Sequence, residues 1–157
     1  MDLDRTDHAI LAALQNDGRL STVDLARLVN LSATPCAARV KRLQRIGFIE
    51  AFQARLSPLK LGLRLLAFVQ VKLRSTDEKT LDAFNQAMHA IAEVQECHMV
   101  GGGFDYLIKV RARDMNHYRA FHSQVIGAIE SVESTHSYFV MQEVKETALL
   151  PLGPAAT

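Results

Sequence analysis

The 157-residue sequence has no tryptophan, two cysteines, four prolines and eight glycines, and its formal charge is only +1. Cys36 and Cys97 stand far apart and belong to no Cys-x-x-Cys or Cys/His ligand spacing, which excludes a disulfide scaffold or a zinc module and suits a reducing cytosol. Apolar runs such as Leu65 to Val69 fall far short of the ~20 residues needed to span a bilayer, and no basic-then-apolar signal opens the chain. A soluble, cytoplasmic protein is expected. The scarcity of glycine and proline, against 48% hydrophobic and 22% charged residues, excludes collagen-like and disordered chains.

A total charge near zero argues at first against nucleic acid, but the total conceals a split. Residues 1–60 carry nine Lys/Arg against six Asp/Glu, hence +3, which leaves −2 for the remainder. Such asymmetry points to a basic binding module joined to something else. The length allows one domain or two small ones. A half of about 60 residues buries only around 60% of its unfolded surface, so either half is expected to lean on a partner.

The first third reads as three short helices. Asp4 is placed to accept from free first-turn amides, Ile10, Leu11 and Leu14 recur at helical spacing, and Gly18 is a stop. Ser21 with Asp24 resembles a capping box ahead of a helix whose apolar stripe is Leu25, Leu28 and Val29, and Asn30 is a left-handed stop. Ser32 is the next N-cap candidate, with Pro35 in the first turn, where its missing N–H costs little. At 100° per residue Cys36, Val40 and Leu43 share the buried face of this third helix. Lys41, Arg42 and Arg45 point the other way with Thr34 and Ala38 beside them, and Arg39 lies between, as a contact or a packing residue. Gly47 stops the helix, Phe48 to Phe52 favour a short strand, and Leu56 to Gly62 reads as a linker.

From Leu65 the pattern becomes strand (to Leu73), helix (Glu78 to Ile91, with Thr76 or Ser75 near its cap), strand (Val94 to Val100), glycine turn and strand (Phe104 to Val110). A helix capped by Asp114 and carrying Met115, Tyr118, Phe121, Val125 and Ile129 follows, then a strand from Ser134 to Val144. This β-α-β-β-α-β order is that of a ferredoxin-like antiparallel sheet with both helices on one face, whose other face a second copy would cover. Pro151 to Thr157 reads as a frayed tail. The fold class is therefore α+β, with a winged helix-turn-helix over 1–52, a hinge over 53–64, the sheet domain over 65–148 and a flexible tail over 149–157.

Three constellations bear on function. A helix-turn-helix with a basic outer face is suited to the DNA major groove. Its candidate contacts are Arg19, Ser21 and Thr22 for phosphates, Ser32, Thr34 and Pro35 at the start of the third helix, and Arg39, Lys41, Arg42 and Arg45 for phosphates or bases. The turn Gly101-Gly102-Gly103, followed by Phe104-Asp105-Tyr106, is either a hairpin turn or a loop whose amides face a small anion while Asp105 pairs with an ammonium. Of the histidines, His117 and His122 lie five apart on one helix, the wrong pitch for joint ligation. Cys97 and His98, adjacent on a strand, point to opposite faces. Neither metal nor catalytic chemistry is expected, and no cofactor.

The segments LDRTDHAILAALQNDGRLS (3–21), LSATPCAARVKRLQRIGFIEAF (31–52), QECHMVGGGFDYLIKV (95–110) and VMQEVKET (140–147) resemble the Lrp/AsnC family of transcriptional regulators over residues 2 to about 148, nearer its leucine-responsive branch. The resemblance implies a DNA-binding head, a hinge strand, and an amino-acid-sensing domain that dimerises through its sheet and assembles into tetramers, octamers or larger discs. It also implies an L-amino-acid effector bound at contacts between dimers. The matching positions are Met99, Gly101, Gly102, Gly103, Asp105, Tyr106, Met115, Tyr138, Phe139 and Val140, with Gly103 standing where relatives often carry a polar residue.

The expectation is thus a sequence-specific, nucleoid-associated regulator of amino-acid metabolism or transport genes, with double-stranded DNA, its own copies and an amino acid as partners and no membrane. A ligand-independent protein that wraps DNA is the alternative. An acyl-phosphate hydrolase on the same sheet would need an anion-binding arginine and a water-orienting amide near one loop, and no such pair stands out.

Overall fold

A computed structural model describes residues 3–152, so the expected fraying of 153–157 lies outside the described residues. The chain divides into two compact units, 1–55 with 145–157, and 56–144.

The first unit holds α1 (Arg5–Asn16), α2 (Thr22–Leu28) and α3 (Ala33–Arg45). Asp4 caps α1 in a reciprocal capping box with Asp7, and Ser21 caps α2 by accepting from the Asp24 amide. Asn30 (φ 54°) makes the left-handed turn between α2 and α3, and Gly47 (φ 82°) ends α3. Ile10, Leu14, Leu25, Ala26, Cys36 and Leu43 form the core.

Several local expectations are corrected. Leu28 is 62% exposed, and Ala26 takes its place inside because a seven-residue helix offers only a narrow buried stripe. Asp17, extended, caps the end of α1, and Gly18 follows without a left-handed φ; a Cβ there would meet the Phe52 ring at 3.2 Å. Phe48 to Phe52 forms no strand, since strand-favouring residues without a neighbouring strand have no ladder to join; Ile49 packs against the first core instead.

The second unit holds β1 (Leu65–Leu73), α4 (Glu78–Ala90), β2 (Val94–Met99), β3 (Tyr106–Ala112), α5 (Met115–Phe121), a π-turn (His122–Ile126) and β4 (Val132–Phe139). The strands form one antiparallel sheet in the order β2-β3-β1-β4. Period-two alternation sends Ala67, Val69, Val71, Leu73, Tyr106, Ile108, Val110 and Ala112 to one face, where Phe84 and Met88 of α4 and Tyr118 and Phe121 of α5 cover them. Both helices therefore lie on that face, as the motif order predicts. Asp77, rather than Thr76 or Ser75, caps α4; hydroxyls of Ser75 and Thr80 hold its carboxyl down at about 2.

The expected long last helix is shorter. It breaks into the π-turn, closed by the Gly127 amide donating to the His122 carbonyl at 2.7 Å, where a Cβ on Gly127 would crowd two carbonyls at 3.2 Å. β4 stops at Phe139, five residues before the expected end. Residues 149–150, expected in a loose tail, return to the first unit, where Leu150 and Gln15 exchange two hydrogen bonds.

Candidate DNA-contacting face and effector-binding elements

The buried carboxylate of Asp7 (1% exposed) organises the first unit. Arg39 Nη1 donates to Asp7 Oδ1 at 2.9 Å and to Asp4 Oδ2 at 2.6 Å, while Arg42 Nη2 donates to Asp7 Oδ2. Burial pushes the Asp7 carboxyl up, but hydrogen bonds from Arg42 and Arg39 outweigh it and hold it below the ordinary carboxylate value. The Asp7 amide, followed by Arg39, lowers Asp4 likewise. Arg39 and Arg42, three residues apart, share the flank of α3 that faces α1. The expectation that Arg42 points outward with Lys41 and Arg45 is corrected: its guanidinium, still about a third exposed, is drawn onto the buried Asp7 carboxylate. Arg39, left open by the sequence, serves as a packing residue.

The remaining outward strip of α3 is uncommitted. Thr34, Ala38, Lys41 and Arg45 are exposed, and Ala33, Thr34, Ala37, Ala38 and Lys41 line a shallow concavity with Thr22 of α2. Alanines and a threonine at its centre keep the helix surface low, so a partner can approach the backbone closely while Lys41 and Arg45 reach outward. Ser32 occupies the N-cap position of α3 without a side-chain cap bond, and Pro35 is exposed one turn on. Arg19 is exposed beside them in sequence, whereas the Ser21 hydroxyl donates to Asp24 Oδ2 at 2.6 Å. Thr22, Thr34 and Lys41 thus line one exposed concavity, with Ser32, Pro35 and Arg45 exposed on the same helix α3, whereas Arg39 and Arg42 are engaged by carboxylates.

In the second unit the expected effector positions separate into two groups. Met99 and Gly101 to Gly103 are exposed around the β2–β3 connection. Asp105 and Tyr106 follow directly, but their side chains turn inward. Asp105 accepts from the Leu73 amide at 2.7 Å and from Lys72 Nζ at 3.0 Å, and these bonds, the amide first, hold its carboxyl below the ordinary value. Tyr106, 1% exposed, packs against Phe84 with ring centroids 4.5 Å apart and planes tilted by 43°, and its buried hydroxyl, with Asn85 nearby, makes no hydrogen bond of good geometry. The two corrections have different causes: sheet alternation sends Tyr106, the first residue of β3, to the helix-covered face, whereas Asp105, just before the strand, is drawn in by the Leu73 amide and Lys72.

The other group, Met115, Tyr138, Phe139 and Val140, lies at the far end of the sheet, where β3 ends and β1 begins. Phe139 meets the Tyr118 ring edge-on at 5.0 Å, Tyr138 Oη donates to Gln70 Oε1 on the opposite face, and the Val140 amide donates to the Leu66 carbonyl. Seven residues of β3, about 20 Å of strand, separate the two groups. A single chain does not bring them together.

The sequence missed Asp7, although its position three residues after the Asp4 cap is a capping-box signal. Among the described residues no group of three or more His, Cys, Asp or Glu side chains is placed to hold a metal ion, and no helix is long and apolar enough to cross a membrane.

A three-helix head with an open, cationic third helix, followed by a ferredoxin-like sheet, defines a helix-turn-helix regulator with an appended ligand-binding unit. The AsnC-type helix-turn-helix domain matches residues 3–44 and the Lrp/AsnC ligand-binding domain matches residues 66–150. The chain belongs to the Lrp/AsnC family of transcriptional regulators. It is 49% identical to the proline dehydrogenase transcriptional activator of Rhizobium radiobacter, covering 94% of this chain and 95% of that one. It is 45% identical to the leucine-responsive regulatory protein of Escherichia coli, covering 93% and 89%. Its fold is similar to that of a transcriptional regulator from Neisseria meningitidis solved as an L-Met complex, with a TM-score of 0.92 and 36% identity over 96% of this chain and 97% of that one.

Proposed function

We propose that this regulator binds double-stranded DNA through the outward strip of α3, and that an L-amino acid bound between copies of the chain tunes that binding. The observation that carries the DNA half is the division of labour among the cations of α3. Arg39 and Arg42 are spent on Asp7, which fixes the helix against α1 and leaves Lys41 and Arg45, with Thr34 and the N-terminus of α2 at Thr22, free to face a groove and its phosphates. Ser32 and Arg19 flank this strip and add phosphate contacts.

The effector half rests on the separation of Met99 and Gly101 to Gly103 from Met115 and Tyr138 to Val140. A pocket using both groups needs two chains, with one end of the sheet of the first against the opposite end in the second. Asp105 acts through the loop's shape, since its carboxylate is occupied. With this reading goes a homo-oligomer built from dimers, acting in the cytoplasm on genes of amino-acid metabolism or transport, a choice of targets that the relatives' names support. The reaction is binding, with no cofactor.

The test is a titration of the full chain against DNA selected from a random library, with and without L-leucine, L-methionine or L-proline. An effector coupling of about 1–3 kcal/mol changes the affinity roughly 5- to 150-fold. Unchanged affinity and oligomer size with every amino acid, together with weak sequence preference and a steep salt dependence, would replace this reading by ligand-independent DNA wrapping.

A further inference from the structure

The composition of the outward strip of α3 decides which base edges it can tell apart. Thr34, Ala38, Lys41 and Arg45 fall within about 60° of one another at 100° per residue, with Ala37 beside them. Together with Ala33 and with Thr22 of α2, the residues from Thr34 to Lys41 on this side bound a shallow concavity of about 460 Å³. Its floor is made of methyl groups, the Cβ atoms of three alanines and the Cγ2 of Thr34. The two cations stand further along, Lys41 about 10 Å and Arg45 about 16 Å beyond Thr34 on the helix axis. A bidentate reader of adenine needs an Asn or Gln, and a partner for the cytosine amine needs an Asp or Glu. None of these lies on the strip; Gln44, the one amide of α3, is turned about 80° from Thr34. A methyl floor in a major groove distinguishes the C5 methyl of thymine, the apolar group that a base edge presents there.

We propose that Ala33, Thr34, Ala37 and Ala38 are specificity-determining residues that read DNA by packing against C5 methyl groups, while Lys41 and Arg45 hold phosphates beside them. The inference rests on the DNA-binding reading above and deepens it, from a helix that faces a groove to the chemical group in the groove that the helix recognises. The floor runs about 7 Å along α3, room for two neighbouring base pairs about 3.4 Å apart. Small side chains bring the helix surface down onto the bases, so a thymine methyl meets Cβ atoms directly instead of being held off by a longer residue. The Thr34 hydroxyl is both donor and acceptor and accepts either kind of polar base edge, so the selectivity comes from the methyls. 5-Methylcytosine carries its methyl at the same place in the groove. Methylation of a cytosine in that step therefore strengthens binding, and loss of the methyl from thymine weakens it.

The test uses the full chain and the DNA that it selects from a random library. Each thymine of the selected site is replaced in turn by deoxyuridine, which removes the C5 methyl and keeps the base pair. A few positions are expected to lose about three- to fourfold in affinity each, the worth of one buried methyl, and the others to change by less than about 1.5-fold. At the sensitive positions 5-methylcytosine paired with guanine binds about three- to fourfold more tightly than cytosine paired with guanine. Thr34→Ser, which removes the side-chain methyl and keeps the hydroxyl, and Ala38→Gly each cut the deoxyuridine penalty at one position to under about twofold, whereas Thr34→Val, which keeps the methyl and removes the hydroxyl, preserves it. Both positions are exposed, so the variants leave the core intact. A selected site that lacks thymine or is indifferent to deoxyuridine throughout overturns the methyl readout and leaves DNA binding by α3 standing. So does a penalty that Thr34→Ser and Ala38→Gly both leave at full size, since the methyl then acts through the shape of the DNA. A chain that selects no sequence and binds every duplex equally counts against the sequence-specific reading itself, and the methyl readout falls with it.

Discussion

The two units solve one problem, a buried carboxylate, in opposite ways. Asp7 in the first unit is neutralised by two arginine side chains from another helix, whereas Asp105 in the second accepts from a backbone amide of β1 and a single lysine. The difference follows the size of the cores. Six buried side chains hold the three helices together, against thirteen between the sheet and its helices, counted among the described residues. A small core leaves α3 free to roll on α1, and a bidentate ionic grip removes that freedom. In the sheet unit the backbone ladder already fixes every element, and Asp105 need only close a loop.

Replacing Asp7 by alanine is the severest way to break this contrast. Stranding the Arg42 guanidinium and leaving Arg39 with Asp4 alone costs roughly 2–4 kcal/mol, the usual cost of breaking a buried pair discounted because each arginine keeps about a third of its exposure. Hydrogen exchange should show the first unit opening while the second keeps its protection.

Lys41→Ala and Arg42→Ala sharpen the contrast within one helix. Lys41→Ala is expected to weaken DNA binding, reduce the salt slope by about one and leave the melting temperature unchanged. Arg42→Ala should lower the melting temperature of the first unit before any direct loss of DNA contact is measurable. Equal effects of the two variants on stability would mean that Arg42 is not committed to Asp7.

Acid provides a third comparison. The Asp7, Asp4 and Asp105 carboxyls all lie below their ordinary value in the folded chain, so their stabilisation is complete above the unfolded value near 3.9 and is lost as the pH falls through the lower folded values. With the smaller core and the greater reliance on a charged pair, the first unit should unfold at a higher pH than the second, as unit-resolved NMR signals between pH 5 and pH 2 would record. The mildest change is Tyr106→Phe. Its hydroxyl is buried with no hydrogen bond of good geometry, so removal should alter stability of the second unit by under about 1 kcal/mol, as thermal melts of the variant would record.

Much of this was legible in the sequence because it is written in local periodicity. The caps at Asp4 and Ser21, the left-handed Asn30, the buried side of α3 and the β-α-β-β-α-β order each need only a few neighbouring residues to read. What escaped depended on partners remote in sequence. Arg42 is on the polar side of a helical wheel, and nothing near it announces a carboxylate 35 residues earlier. Phe48 to Phe52 has the composition of a strand, but a strand requires a neighbour that no local pattern guarantees. Tyr106 and Asp105 sit beside an exposed glycine turn, and only the register of β3 against β1 and the bonds from Leu73 and Lys72 show that their side chains turn inward. The candidate sites divided along the same line: the outward strip of α3 is a property of one helix, while the two effector groups need a second chain to meet.

The return of residues 145–150 to the first unit also sets an order of assembly. As the chain emerges during synthesis, α1 to α3 appear first, yet Gln15 and Arg55 must wait for the whole sheet unit to be made before Leu150 and Glu146 arrive. The head can form its core early but is completed last. Its final contacts close only on a chain whose sensing unit has already been built.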